Sequence, residues 1–498
     1  MAHNPSFALV GTLTGPAKRD AVKALFEKLN QDLKTNSLQS QERDAALEEL
    51  KIYGRDPSFA DPIFTKEGIE TLTKFAFDSP SETTSRNALR VLCNALFLKA
   101  ETRQIFVDLG CELKACTKLK SESPEDEFLA SRLLLLTTYG TTVDLPKLID
   151  NHDLAASIIQ NLSRHAKRLA GGPNANATAA DPMPAMALAE TLKLVFNVTN
   201  FAKSHLASFD GALSHIAAIL LDHPPAPASS PLDPPFNLLI NPLLNLDLSR
   251  PSAQAALYPT TAPSRVTDRL IQLLDLAMKI YTDDQLDQNV SPLLCALSNL
   301  YKNAPSPNNN ASDSEKSTDD NDVGASIRSQ LLPTDEDRKL VLGKTETLPS
   351  RLLRNWTNAL APQFRNAVGN LYFDLSGGDA GKFVENVGYG YASGFLFDKG
   401  IAMPEEVVRK AGEGSSTAEG PSRPINPITG QFLDEEKFPE LPNMTDEEKE
   451  REAERLFVLF ERLRSTGVVN VENPVAQAYR EGRIQELPDD ASDSDDLD

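Results

Sequence analysis

A chain of 498 residues with 40% hydrophobic content exceeds what one compact core organises, so it is either several domains or one extended repeat stack. Its formal net charge of −21 argues against direct binding to nucleic acid or an anionic bilayer, either of which requires a concentrated basic surface. Four scattered cysteines make no disulfide framework, the opening MAHNPSFALVGTLTG lacks a basic segment followed by an apolar run, and no stretch approaches about eighteen consecutive apolar residues. The expectation is a reducing, cytoplasmic setting without a membrane span or anchor.

Helical periodicity dominates along the chain. Segment 88–98 places Leu89, Leu92, Cys93 and Leu96 on one face, and Leu133 to Leu136 reads as a piece of buried helix. Segment 188–199 aligns Leu188, Leu192, Val195, Phe196 and Thr199, and 364–375 aligns Phe364, Val368, Leu371 and Leu375. Polar, proline-rich stretches punctuate these helices at 170–184, 223–235 and 304–326 and read as flexible, solvated insertions. An apolar residue, any residue, Asn and another apolar residue recur as Leu92-Cys93-Asn94-Ala95, Val195-Phe196-Asn197-Val198, Leu297-Ser298-Asn299-Leu300 and Val368-Gly369-Asn370-Leu371. Separations of roughly one hundred residues suit two or more helical repeats of about 40–47 residues plus insertions. The predicted fold is an all-α superhelical solenoid of armadillo/HEAT-like repeats over 1–408, because each repeat buries its apolar face only against its neighbours.

Beyond a flexible loop at 409–440, residues 441–467 predict one amphipathic helix. Thr445 and Glu448 have capping-box spacing, Ala453, Leu456, Phe457, Phe460 and Leu463 form its stripe, and Gly467 suits its end. That stripe needs a surface to cover, on the solenoid or on a partner. The tail 468–498 is predicted to be disordered, and residues 486–498 carry seven acids and no base.

No covalent active site is legible. None of the six histidines has metal-ligand spacing, Cys111 and Cys116 lack a matching second pair, and no phosphate-binding or nucleophile-elbow motif occurs, so no metal and no cofactor is expected. Gly388-Tyr389-Gly390-Tyr391-Ala392-Ser393-Gly394 follows a helix and has no Lys in place, which reads as a tight inter-helix turn. Polar stripes opposite the apolar faces are more informative: Asn87, Arg90 and Asn94; Glu190, Lys193, Asn197 and Asn200; and the mixed stripe Phe128, Arg132, Leu135 and Tyr139. They are solvated faces, or Asn side chains satisfying neighbouring backbone, or the lining of a groove. Asn with Arg suits capture of a peptide or helix, since Asn pairs with backbone and Arg with carboxylates.

Seven collinear segments resemble the synembryn family, also called resistance to inhibitors of cholinesterase. They are Asp61-Pro62-Ile63-Phe64-Thr65; Ala88 to Asn94; Leu192 to Asn197; Asn237-Leu238-Leu239 with Asn241-Pro242-Leu243; Phe383 to Gly390; Asn426-Pro427-Ile428-Thr429-Gly430; and Met444 to Glu450. The spacing is similar to that of a divergent, fungal branch. The resemblance implies a cytosolic protein, recruited to the cell cortex by its client, that chaperones G-protein α subunits (Gα) and promotes their guanine nucleotide exchange without bond chemistry of its own; oligomeric state is left open, with monomer the default. It implies a groove for the Gα C-terminal helix, with contacts at Arg90, Asn94, Arg132, Asn197 and Arg365. The motifs match residue by residue at Asn94 and Asn197, and the others follow from adjacency and helix phase. It also implies a C-terminal clamp helix presenting Leu456, Phe457 and Phe460, and acid-directed phosphorylation at Ser416, with Glu419 at +3, and Ser492, with Asp495 at +3. A folding chaperone without exchange activity and a generic armadillo peptide adaptor are the alternatives; such adaptors use Trp-Asn groove pairs, whereas Trp356 stands apart from the recurring Asn positions.

Overall fold

The computed structural model describes residues 13–171, 181–305 and 322–402, together with 423–436 apart from Pro424 and Pro427. The first half runs α1 (Gly15–Thr35), α2 (Ser40–Tyr53), α3 (Lys66–Asp78), α4 (Glu82–Leu98), α5 (Ala100–Asp108), α6 (Cys111–Leu119), α7 (Pro124–Thr137), α8 (Leu145–His152), α9 (Leu154–Ala170), α10 (Met183–Phe201) and α11 (Ala212–Asp222). The second runs α12 (Phe236–Ile240), α13 (Pro242–Asn245), α14 (Pro251–Leu257), α15 (Arg265–Ile280), the single turn α16 (Asp283–Gln285), α17 (Ser291–Lys302), α18 (Val323–Leu331), α19 (Leu348–Trp356), α20 (Pro362–Leu375), α21 (Ala380–Val387) and α22 (Tyr389–Asp398). Among the described residues the only bridge between extended segments joins Ile425 and Phe432.

These helices stack as a solenoid. Each of α4, α7, α10, α13, α17 and α20 packs on the next to form one row, and α3, α6, α9, α15 and α19 stand behind members of it. Burial follows the sequence periodicity: Leu89, Leu92, Leu96, Leu188, Leu192, Val195, Phe364, Val368 and Leu371 are all enclosed. One continuous apolar cluster runs from Val22 to Leu396, as expected when every repeat covers its neighbour. In α7, four consecutive leucines, Leu133 to Leu136, are buried, because that helix is sandwiched between α4, α6 and α10. Side-chain caps start several elements: Thr65 accepts from the Gly68 amide, Ser81 from Thr84, Asp144 from Lys147 and Asp379 from Lys382.

Two of the three connecting segments are partly packed where they were expected to be solvated insertions. Within 223–235, Leu232 is buried and its amide donates to the Tyr281 hydroxyl at 2.9 Å, while His223 packs edge-on against Phe236 at 5.4 Å. Within 304–326, Asp322 caps α18, and Val323 belongs to the core; residues 306–321 lie outside the described residues. Within 170–184, α10 already begins at Met183, and residues 172–180 are outside the description. The loop 409–440 differs too, since its described portion docks on the solenoid end and buries Gln431 and Phe432.

That end is dense with aromatic side chains. Trp356 stacks on Tyr391 with ring centroids 6.1 Å apart and meets Tyr372, Phe383 and Phe395 within 5.9 to 6.5 Å. Tyr389 to Gly394, expected to belong to the turn between α21 and α22, are already the first turns of α22, and Gly388 alone turns the chain, at φ +79°. A Cβ there would lie 3.0 Å from the Ile428 carbonyl oxygen, so two of the signature segments are in contact. Asp337, fully buried, accepts from the hydroxyls of Thr334, Thr345, Thr347 and Ser350 and thereby orders the α18–α19 connection.

Candidate functional site

The polar stripes of α4, α7 and α10 meet along one side of the row. The Arg132 guanidinium of α7 lies 5.7 Å from the ring of Phe97 on α4 and 5.8 Å from that of Phe128, and donates to Glu190 of α10 at 3.3 Å. Lys193 reaches the same carboxylate at 2.9 Å. Glu190 itself is enclosed, so it fixes one edge of Arg132 while a third of that side chain, 32%, stays accessible beside Phe97, which is 58% exposed. A cation held near two rings is a preorganised contact for an apolar or carboxylate-bearing partner.

Next to it, Arg90 donates to Asn87 at 2.5 Å and pairs with Glu125, and Arg86 pairs with Asp126 at 2.9 Å. These pairs tie α4 to α7. Asn94 is half-buried, and its side chain makes no hydrogen bond among the described residues; an amide offers both a donor and an acceptor to a partner backbone.

The other recurring asparagines are spent on the solenoid. Asn197, only 8% exposed, donates to the Thr138 hydroxyl at 2.8 Å and rivets α10 to the end of α7. Asn299 donates to the Leu243 carbonyl at 3.4 Å, and Asn370 to the Asn366 carbonyl of its own helix. Asn87 and Glu190, expected on polar faces, are buried where neighbouring helices cover them. Thus Arg90, Asn94, Arg132 and Asn197 sit on three successive helices of the row, with Asn197 turned into the joint. Arg365 is exposed on α20, two helices beyond α13, and stands apart from them. Leu456, Phe457, Phe460, Ser416 and Ser492 lie outside the described residues.

Behind this side is a buried ionic hub that the sequence pattern missed. Glu127 of α7 accepts from Thr191 of α10 at 2.7 Å and from Arg164 of α9 at 3.4 Å, and lies 2.9 Å from His165 Nε2. Burial pushes the Glu127 carboxyl up, but the hydrogen bonds from His165 and Thr191 and the Arg164 charge outweigh it and hold it below its ordinary value. Glu127 sits in a run of first-turn acids, Glu125-Asp126-Glu127, which reads as ordinary helix-start chemistry; its partners are 37 to 64 residues away. Phe97 offers a clearer signal, being an aromatic outside the apolar phase of α4.

Burial pushes the Cys93 and Cys116 thiols up to about 12, so neither is a thiolate at neutral pH. His205, half-buried in the short 3-10 helix Lys203–Phe209, bridges Ser204 at 2.9 Å and Asp150 at 3.2 Å. An open cleft of about 720 Å³ among α1 to α3 is walled by Asp32, Arg43, Glu67, Glu70 and Lys74, of mixed sign. No group of three His, Cys, Asp or Glu side chains among the described residues is arranged to hold a metal ion, and no described helix is long and apolar enough to cross a membrane.

Fold and surface together define a helical-repeat solenoid whose α4–α7–α10 side exposes aromatic, Arg and Asn groups. The family model described as guanine nucleotide exchange factor synembryn matches residues 46–483. This chain belongs to the synembryn family. The chaperone Ric-8A of Xenopus tropicalis is 25% identical over 499 residues, covering 93% of this chain and 87% of its own length. A synembryn-like chaperone of Schizosaccharomyces pombe is 33% identical over 163 residues, so the match spans just under a third, 31%, of each. Among solved structures, an engineered protein aligns with 57% of this chain and 97% of its own at 18% identity and a TM-score of 0.39.

Proposed function

We propose that this protein chaperones Gα subunits and promotes their nucleotide exchange, binding the nucleotide-free form in preference to Gα·GDP. The family match across 46–483 carries the proposal, and the Arg132 ledge with Asn94, unpaired among the described residues, supports the choice of surface. In this reading the Gα C-terminal helix lies along α4, α7 and α10, with Phe97 and Arg132 as anchors and Arg90 and Asn94 as polar contacts. Asn197 keeps the α7–α10 joint in register, Arg365 contacts the client further along the row, and Leu456, Phe457 and Phe460 clamp it from the C-terminal arm. Ser416 and Ser492 are its phosphorylation sites.

No bond chemistry is required. A protein that binds empty Gα better than Gα·GDP shifts the population toward the open form, and linkage makes nucleotide weaken the complex by the same factor. GTP entry then releases the client. The same preference holds newly made, nucleotide-free Gα while it folds. The protein acts as a cytoplasmic monomer and reaches the cell cortex through its client.

The test is GDP release and GTP-analogue uptake by purified Gα with and without the full-length protein, alongside size-exclusion of the pair. Acceleration with a complex that nucleotide dissolves is expected. A stable complex without acceleration leaves a chaperone alone, and neither across several Gα classes overturns the proposal.

A further inference from the structure

The described part of the loop after α22 is held by main-chain bonds on both flanks. The Phe432 amide donates to the Arg338 carbonyl at 2.8 Å, the Leu342 amide to the Thr429 carbonyl at 3.3 Å, and the Gln431 side chain to the Lys339 carbonyl at 3.0 Å. On the opposite flank the Gly390 amide donates to the Ile428 carbonyl at 3.1 Å. The Arg338 guanidinium sits at the centre of this contact. Its Nη1 donates to the Gly430 carbonyl at 2.9 Å, and its Nη2 to the carbonyls of Glu385 at 3.0 Å and Asn386 at 3.1 Å.

Arg338 is 7% exposed, and no carboxylate among the described residues lies within ion-pair distance of it. Burial lowers the affinity of its guanidinium for the proton, only partly opposed by Asp335, Asp337 and Glu385 nearby. The charge is met by the last carbonyls of α21, the negative end of that helix. An apolar side chain would fill this space at lower desolvation cost, so the fork serves geometry: rigid, planar donors join three separate pieces of chain. The glycines agree with a built contact. Gly430, at φ +69°, would place a Cβ 2.3 Å from Leu342 Cδ1.

Glu436, four residues past Phe432, ends the described chain, and Thr445, the predicted cap of the C-terminal helix, follows nine residues later. Nine extended residues reach at most about 30 Å, so where 425–432 is fixed decides which part of a client the arm meets and at what effective concentration.

We propose that Arg338 is a positioning residue that latches segment 425–432 to the α21–α22 turn and thereby sets the point from which the C-terminal arm reaches the client. The proposal rests on the reading that this arm contacts Gα. Its test uses the full-length chain carrying Arg338→Met or Arg338→Lys, with Gly430→Ala perturbing the same contact from the other side. Two readouts are hydrogen exchange by residue and the dissociation rate of nucleotide-free Gα, each repeated with Phe457→Ala/Phe460→Ala.

Exchange at 388–391 and 425–432 is expected to rise while α4 to α10 keep their protection. Dissociation is expected to speed by about tenfold, the equivalent of one charge-assisted hydrogen bond, with no further change when the arm substitutions are added. Unchanged exchange, or arm and latch effects that simply multiply, overturns the proposal. If the arm substitutions alone speed dissociation and the Arg338 variants do not, only the latch has failed. If the arm substitutions alone change nothing, the arm reading has failed and the latch's role in retaining the client falls with it.

Discussion

Replacing Glu127 by Ala should destabilise the solenoid more than any single change on its exposed α4–α7–α10 side. The carboxylate is enclosed and joins three helices, accepting from Thr191 on α10 and Arg164 on α9 and contacting His165, also on α9. Truncation strips the enclosed His165 of its only ionic partner and opens a void of several atoms, while Arg164, a quarter accessible, keeps the Ser121 carbonyl and the Asn161 side-chain oxygen, and Thr191 keeps the Ser131 hydroxyl. Removing one member of such a buried pair costs about 3–5 kcal/mol, against about 1 kcal/mol for an ordinary hydrogen bond. Guanidinium unfolding followed by circular dichroism should show the loss as a lower midpoint, and Glu127→Gln, which keeps one acceptor oxygen, should lose less. A Glu127→Ala midpoint within about 0.5 kcal/mol of wild type would refute the reasoning, because it would mean that α7, α9 and α10 hold together on apolar packing alone.

Other substitutions separate stability from client binding. Asp126, Glu127 and Asp337 all lie below their ordinary values in the fold: burial raises each, and Arg86, His165 and the Thr345 and Thr347 hydroxyls respectively outweigh it. A depressed carboxyl stabilises above its unfolded pKa, so thermal midpoints should hold at neutral pH and fall once pH drops through about 4 toward the folded values. Gly369→Ala should cost about 1–3 kcal/mol by overpacking, since its Cβ would lie 2.5 Å from the Phe395 ring; calorimetry checks this. Asn94→Ala should leave the unfolding midpoint within about 0.5 kcal/mol while weakening nucleotide-free Gα, whereas Asn197→Ala, which breaks the Thr138 bond, should cost about 1 kcal/mol of stability. Equal effects of the two on stability would show that Asn94 is also a structural rivet.

The apolar faces were legible because a 3.6-residue period has one structural solution in a repeat stack, and Leu89, Leu192 and Phe364 are buried as their spacing requires. The polar side was harder. Asn94 and Asn197 share a sequence pattern, yet one is left open and the other is closed against Thr138, because α10 packs more intimately on α7 than α7 does on α4. Spacing within one helix does not encode that difference. Glu127 was invisible for the same reason, since what distinguishes it from Glu125 two residues earlier is the arrival of α9 and α10 from later in the chain.

The segments that made the family recognisable owe their legibility to sterics. Gly388 and Gly390 approach the backbone at Ile428 so closely that a Cβ on Gly388 would press on its carbonyl oxygen at 3.0 Å, and Gly430 faces Leu342, whose Cδ1 would have to shift to admit a Cβ; Gly388 and Gly430 also hold positive φ, which L side chains rarely adopt. Asn426 folds the tight turn between them, accepting from the amides of Ile428 and Thr429 through its side chain and from Gly430 through its carbonyl. Two motifs about forty residues apart therefore describe a single contact, closed by Arg338 from a third place in the sequence. A surface that captures another protein can exchange Asn for Gln or Phe for Leu and still bind. A joint whose glycines hold positive φ against neighbouring chain has fewer substitutes, and so the joint is where this sequence most plainly declares its family.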